Sequence, residues 1–96
     1  MAVKGDDVTV QNSGATLIWT ATSAASANCP QKVWVENRDG SIVITVGGSD
    51  VADASNGMKL AAGARIGPIE LTQPQEKLYA IAASGTPTAC ILVTGV

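Results

Sequence analysis

Lys32-Val33-Trp34-Val35-Glu36-Asn37-Arg38-Asp39-Gly40-Ser41-Ile42-Val43-Ile44-Thr45-Val46 is the stretch whose reading decides the fold. Two runs rich in β-branched residues flank an Asp-Gly pair, and residues alternating in polarity with period two are the mark of a half-buried strand. Asp-Gly between such runs predicts a hairpin, because a primed two-residue turn needs positive φ at its centre. In that register Trp34 lies opposite Thr45 and Glu36 opposite Val43. Val33, Val35, Ile42, Ile44 and Val46 then share the other face and form the expected core.

The rest of the chain repeats the pattern. Asp7 to Gln11, Ala15 to Ala21, Met58 to Leu60, Ala64 to Leu71, Lys77 to Ala83 and Ala89 to Thr94 read as further strands. Gly, Pro, Asn and Ser punctuate them at short intervals. Leu17 and Trp19 are expected on one face of their strand, with Thr16, Ile18 and Thr20 on the other. Pro68 costs a ladder donor, which places its segment at a sheet edge or a bend. Gly47 to Gly57 reads as a long polar connector, and Ser84 to Thr88 as a hairpin loop. About eight short antiparallel strands with such spacing predict an all-β fold, a small β-sandwich with jelly-roll or Greek-key-like connections. Residues 1–7 are expected to be a flexible arm and residues 8–96 the single domain.

Composition narrows the function. The chain has 96 residues, 46% hydrophobic, with two Trp, one Tyr and no Phe. Its core must come from small aliphatic side chains, which bury less area each than aromatics. Small domains of this kind hide a modest share of their surface, so association with other chains would help them. A formal charge of −2 and six scattered Lys and Arg supply no basic face for nucleic acid. No apolar run approaches the roughly 20 residues of a membrane-spanning helix. The acidic start, with no signal-like segment, leads to the expectation of synthesis in the cytoplasm.

Catalytic and metal chemistry find few residues. With no His in the sequence, Ser–His and Cys–His activation are unavailable. Zinc would need both thiols and two carboxylates, an unusual ligand set. Asp50 and Asp53 lie in a Gly/Ser/Ala segment with no apolar wall to raise a carboxyl pKa. No enzyme activity, cofactor or metal is expected. Cys29 and Cys90 can form a disulfide only if the fold brings them within bonding reach, whereas cytoplasmic synthesis favours free buried thiols.

The second half of the sequence carries a resemblance. Ser55-Asn56-Gly57-Met58-Lys59-Leu60-Ala61-Ala62-Gly63, followed by Leu78-Tyr79-Ala80-Ile81-Ala82-Ala83-Ser84-Gly85-Thr86, resembles small virion proteins of tailed bacteriophages. Val33 to Asn37 through Val46-Gly47-Gly48 is similar to the hairpin element that precedes these motifs in that family. The likeness spans about two thirds of the chain, from Cys29 to Thr94. It departs at Cys29-Pro30-Gln31-Lys32, where paired arginines often stand, which removes any arginine contact there. The resemblance implies a capsid decoration, or cement, protein on the virion surface. Its partner would be the major capsid protein, and it would self-associate, as a trimer in the first place or as a dimer. The alternative is a tail-fibre, spike or head–tail module that binds host saccharide or another virion protein. Trp34, Glu36, Thr45, Val51 and Tyr79 are the candidate interface residues, with Trp19 assigned to the core.

Overall fold

A computed structural model of the chain describes residues 3–53 and 55–96. Eight strands run in the order β1 (Val3–Thr9), β2 (Thr16–Thr20), β3 (Gln31–Asn37), β4 (Ile44–Ala52), β5 (Ser55–Leu60), β6 (Arg65–Leu71), β7 (Lys77–Ala82) and β8 (Thr88–Thr94). They form two four-stranded antiparallel sheets, β1-β8-β3-β6 (sheet A) and β2-β7-β4-β5 (sheet B). Of the consecutive strands only β4 and β5 are neighbours; every other connection crosses from one sheet to the other. That strand order is the jelly-roll form of the sandwich, in agreement with the sequence reading.

The core lies between the sheets. Val33 and Val35 from sheet A face Ile44, Val46 and Leu60 from sheet B, joined by Leu71, Leu78, Ile91 and Val93, with Ile42 packed partly against them. The aliphatic face read from the Asp-Gly region is therefore the right one, although the pairing is not. Strands β3 and β4 are not hydrogen-bonded to each other, and Trp34 pairs with Leu92 rather than Thr45.

The cause is local. Gly40 is not among the residues with positive φ, so the primed turn does not form. Instead the Asp39 carboxylate accepts the N–H groups of Ser41 (2.8 Å) and Ile42 (2.7 Å). The fully buried Asn37 donates Nδ2 to the carbonyls of Ile42 (2.8 Å) and Leu60 (3.0 Å), and its Oδ1 accepts the Asp39 N–H. These bonds fold the chain over the end of the sandwich, as an arch from sheet A to sheet B. Ser84 to Thr88 likewise joins strands of different sheets and is no hairpin loop.

Three further expectations are corrected. Residues Val3 to Asp7 are not a flexible arm, because they belong to β1 and pair with β8 from Val3↔Thr94 to Thr9↔Thr88 without a break; Met1 and Ala2 lie outside the described residues. Gly47 to Gly57 is not a plain connector: β4 continues to Ala52, β5 starts at Ser55, and a register shift between Gly47 and Ala52 absorbs the extra residues. In β2 the period-two reading fails at a register shift between Leu17 and Trp19. A bulge places two successive residues on one side. Here Ile18 is buried in the core, Trp19 packs against it, and Leu17 is left 45% exposed.

A buried glutamine closes the other end of the sandwich. Gln31, at 0% exposure, accepts from Trp19 Nε1 (3.3 Å) and the Thr22 N–H (3.1 Å), and donates Nε2 to Thr22 Oγ1 and the Gly95 carbonyl (3.4 Å). Its polar atoms are thus satisfied, as a buried amide requires.

Candidate interaction surface

The two sheets differ in what their outer faces show. Residues directly opposite in an antiparallel pair share a face, so the register of sheet A fixes its outer surface. Val3, Gly5 and Asp7 of β1 stand beside Thr94, Leu92 and Cys90 of β8. Those in turn flank Lys32, Trp34 and Glu36 of β3, with Arg65 and Glu70 on β6. Trp34 and Leu92 are the centre of this face; Leu92 is 44% and Val3 62% exposed.

A shallow groove of about 270 Å³ runs between Trp34, Val35, Glu36, Arg65, Cys90 and Leu92. Trp34, in its wall, is seated against Gly67. A Cβ there would come within 2.8 Å of Trp34 Cδ1 and 2.9 Å of the Val33 carbonyl oxygen, and φ is +138°. Glycine alone fits that backbone, so the indole rests on the bare main chain of β6. The peptide bond from Gly67 to Pro68 is cis, and the β3–β6 register shifts between Val33 and Val35.

Charge rims the groove. Glu36 bridges two guanidinium groups, Arg38 Nε at 3.2 Å and Arg65 Nε at 3.1 Å. All three side chains reach solvent, so the pairs contribute little to stability and are available to other charges. The Glu36 hydrogen bond holds Arg38 firmly protonated, above its ordinary value. Burial pushes the Cys90 thiol up, and a hydrogen bond with Asp7 adds to the rise, so the group is a neutral thiol and a poor nucleophile near pH 7.

The structure brings Trp34 and Glu36 together and separates them from the other candidates. Tyr79 is half-buried on sheet B, opposite Leu17 and Gly47. Thr45 is 1% and Val51 5% exposed, so neither forms part of the surface. Thr45 belongs to an inner strand of sheet B, and Val51 folds back on that sheet. An added Cβ at Gly57 would lie 2.9 Å from Val51 Cγ2 and one at Gly47 3.4 Å from it, which shows how closely the valine covers these glycines. Leu92 takes the place beside Trp34 that the expected β3–β4 pairing assigns to Thr45.

Cys29 and Cys90 are both free, Cys29 exposed and Cys90 partly buried. Cys90 stands opposite Glu36, five residues along β3 from Gln31, and Cys29 lies before that strand begins. At 3.3 Å per residue the strand alone spans about 16 Å, well beyond the Cα reach of a disulfide. Asp50 and Asp53 are exposed. Among the described residues no cluster of three or more His, Cys, Asp or Glu could hold a metal ion.

No family model and no curated protein matches the sequence. A solved structure of Bacillus endospore appendages, described as a novel family of disulfide-linked pili, is similar in fold, with a TM-score of 0.61 at 12% identity over 96% of this chain and 82% of that one. At such identity the likeness concerns the fold.

Proposed function

We propose that this chain is a structural subunit that binds other proteins of a larger assembly through the outer face of sheet A. Its particular role is that of a decoration protein on a tailed-bacteriophage capsid, stabilising the joints between capsomers. The observation that carries the reading is the Trp34–Leu92 groove with its Glu36, Arg38 and Arg65 rim: an apolar centre, including a tryptophan, inside a charged border is the usual anatomy of a protein contact. The resemblance of the stretch from Cys29 to Thr94 to small phage virion proteins supports the specific station. Several hundred Å² of apolar surface covered at each joint, at about 25 cal/mol per Å², would outweigh the ordering of a few side chains.

The likeness to an appendage subunit supports a second reading, a building block of a filament, which would use the same face against copies of itself. Purified chain mixed with undecorated phage heads distinguishes the two. Co-sedimentation with heads, a rise in their thermal resistance and loss of both with Trp34→Ala favour decoration. Filaments formed by the chain alone favour the second reading. Binding to host cells without binding to heads contradicts both.

A further inference from the structure

The sandwich has four edge strands, and three carry devices that interrupt pairing. The edge strand β6 holds Pro68 and a register shift, β2 has its shift at Ile18, and β5 faces the irregular part of β4. The fourth, β1, pairs with β8 over all seven of its residues and has no strand on its other side among the described residues. Its open hydrogen-bonding groups can be assigned. Val10 donates its N–H to the Pro87 carbonyl at 2.9 Å in continuation of the same register. In an antiparallel ladder the main-chain groups alternate in direction. Lys4, Asp6 and Val8 therefore bond to β8, while Val3, Gly5, Asp7 and Thr9 direct N–H and C=O to the open edge. The Asp7 N–H donates to the neighbouring Asp6 carboxylate, at 3.0 Å.

We infer that β1 pairs antiparallel with β1 of a second copy about a two-fold axis at Gly5, joining two A sheets into one of eight strands. The sequence Val3-Lys4-Gly5-Asp6-Asp7 is self-complementary in that register. Gly5 meets Gly5, Val3 meets Asp7, and Lys4 meets Asp6 of the other copy, twice. The Lys4–Asp6 pairs fall at the non-hydrogen-bonded positions, where opposed side chains approach most closely. A slip by two residues one way opposes Lys4 to Lys4, and a slip the other way opposes Asp6 to Asp6. A slip by one residue reverses the faces.

Two monomer features gain a reason. Gly5 has no positive φ, and a Cβ there would meet only the Ile91 carbonyl oxygen at 3.8 Å, so the single chain does not require glycine. At the axis, two glycines leave a bare strip that joins the Leu92 and Trp34 surfaces of both copies. Lys4 points inward, 5.7 Å from the Trp19 ring centre. An inward lysine on an edge strand discourages foreign strands. Opposite Asp6 of a second copy it favours pairing, so one residue both excludes and selects.

This pairing does not depend on the identity of the larger assembly. Sedimentation equilibrium of the full chain tests it, with wild type expected at twice the 9.7 kDa protomer mass. Gly5→Pro removes only an edge-facing N–H, which an edge strand tolerates, and is expected to leave a folded monomer. Lys4→Glu and Asp6→Lys each oppose like charges and are expected to weaken dimerisation about tenfold; mixed one to one, they are expected to recover it as a heterodimer. A monomeric wild type, a trimer, a Gly5→Pro dimer or a mixture no tighter than its components would overturn the inference.

Discussion

The outer faces of the two sheets are made from the same kinds of strand, yet the β4–β5 side of sheet B is closed by its own chain, with Leu17 at the β2 edge left exposed, whereas the centre of sheet A is open. On sheet B, Val51 lies over Gly47 and Gly57, and Thr45 and Ile81 are buried although they stand on the outward side of their strands. On sheet A, Trp34 and Leu92 stay partly open, bordered by Glu36, Arg38 and Arg65. The inner strands of sheet B use Thr45, Ile81 and Val51 for the stability of the protomer. The open face keeps its apolar residues where another molecule can cover them. In a domain with so few aromatics, placing one of two tryptophans outside the core is a costly arrangement unless a partner covers it.

Substitution at the closed face should have the largest effect on folding. A Cβ at Gly57 would stand 2.5 Å from the Val46 carbonyl oxygen and 2.9 Å from Val51 Cγ2. Gly57→Val is therefore expected to destabilise the protomer by about 1–3 kcal/mol or more, read as a lowered urea midpoint, because a packed hairpin cannot give way cheaply. The open face should behave in the opposite manner. Leu92→Ser is expected to shift the urea midpoint by less than about 1 kcal/mol, as surface changes do, while abolishing assembly. An equal loss of stability at both positions would erase the distinction between the faces.

The smallest effect is expected at the arch that links the two sheets. The Ser41 and Ile42 N–H groups hold the Asp39 carboxyl below its ordinary value. Its contribution is therefore present above the unfolded carboxyl pKa of about 3.9 and disappears as pH falls through the lower folded value. Asp39→Asn should lower the melting temperature slightly at pH 7, and the gap from wild type should close below about pH 4. A gap that persists at lower pH would mean the carboxylate charge is not what holds the arch.

The sandwich was legible because Val33, Val35, Ile44 and Val46 alternate regardless of how their strands are joined. The arch was not, since Asp39-Gly40 carries a hairpin signal and only the third dimension brings the Leu60 carbonyl to Asn37. Buried Gln31 and Asn37 are the two ends of β3, whose alternation places them inside, but their partners, Gly95 and Leu60 among them, lie far along the chain. Trp34 and Glu36 were found as surface candidates because their face of β3 carries polar neighbours. Leu92 was hidden inside the apolar run of β8, and Thr45 and Val51 were misplaced because nothing in their local sequence shows that they are buried.

Docking through the Trp34–Leu92 centre of sheet A, rather than through sheet B, can be read from oxidative footprinting of the free protein and of the same protein in its native particle. Trp34 is expected to be labelled in the free chain and strongly protected after assembly, with Tyr79 on sheet B changing little. Equal labelling of Trp34 in both states, with protection confined to Tyr79, would contradict it.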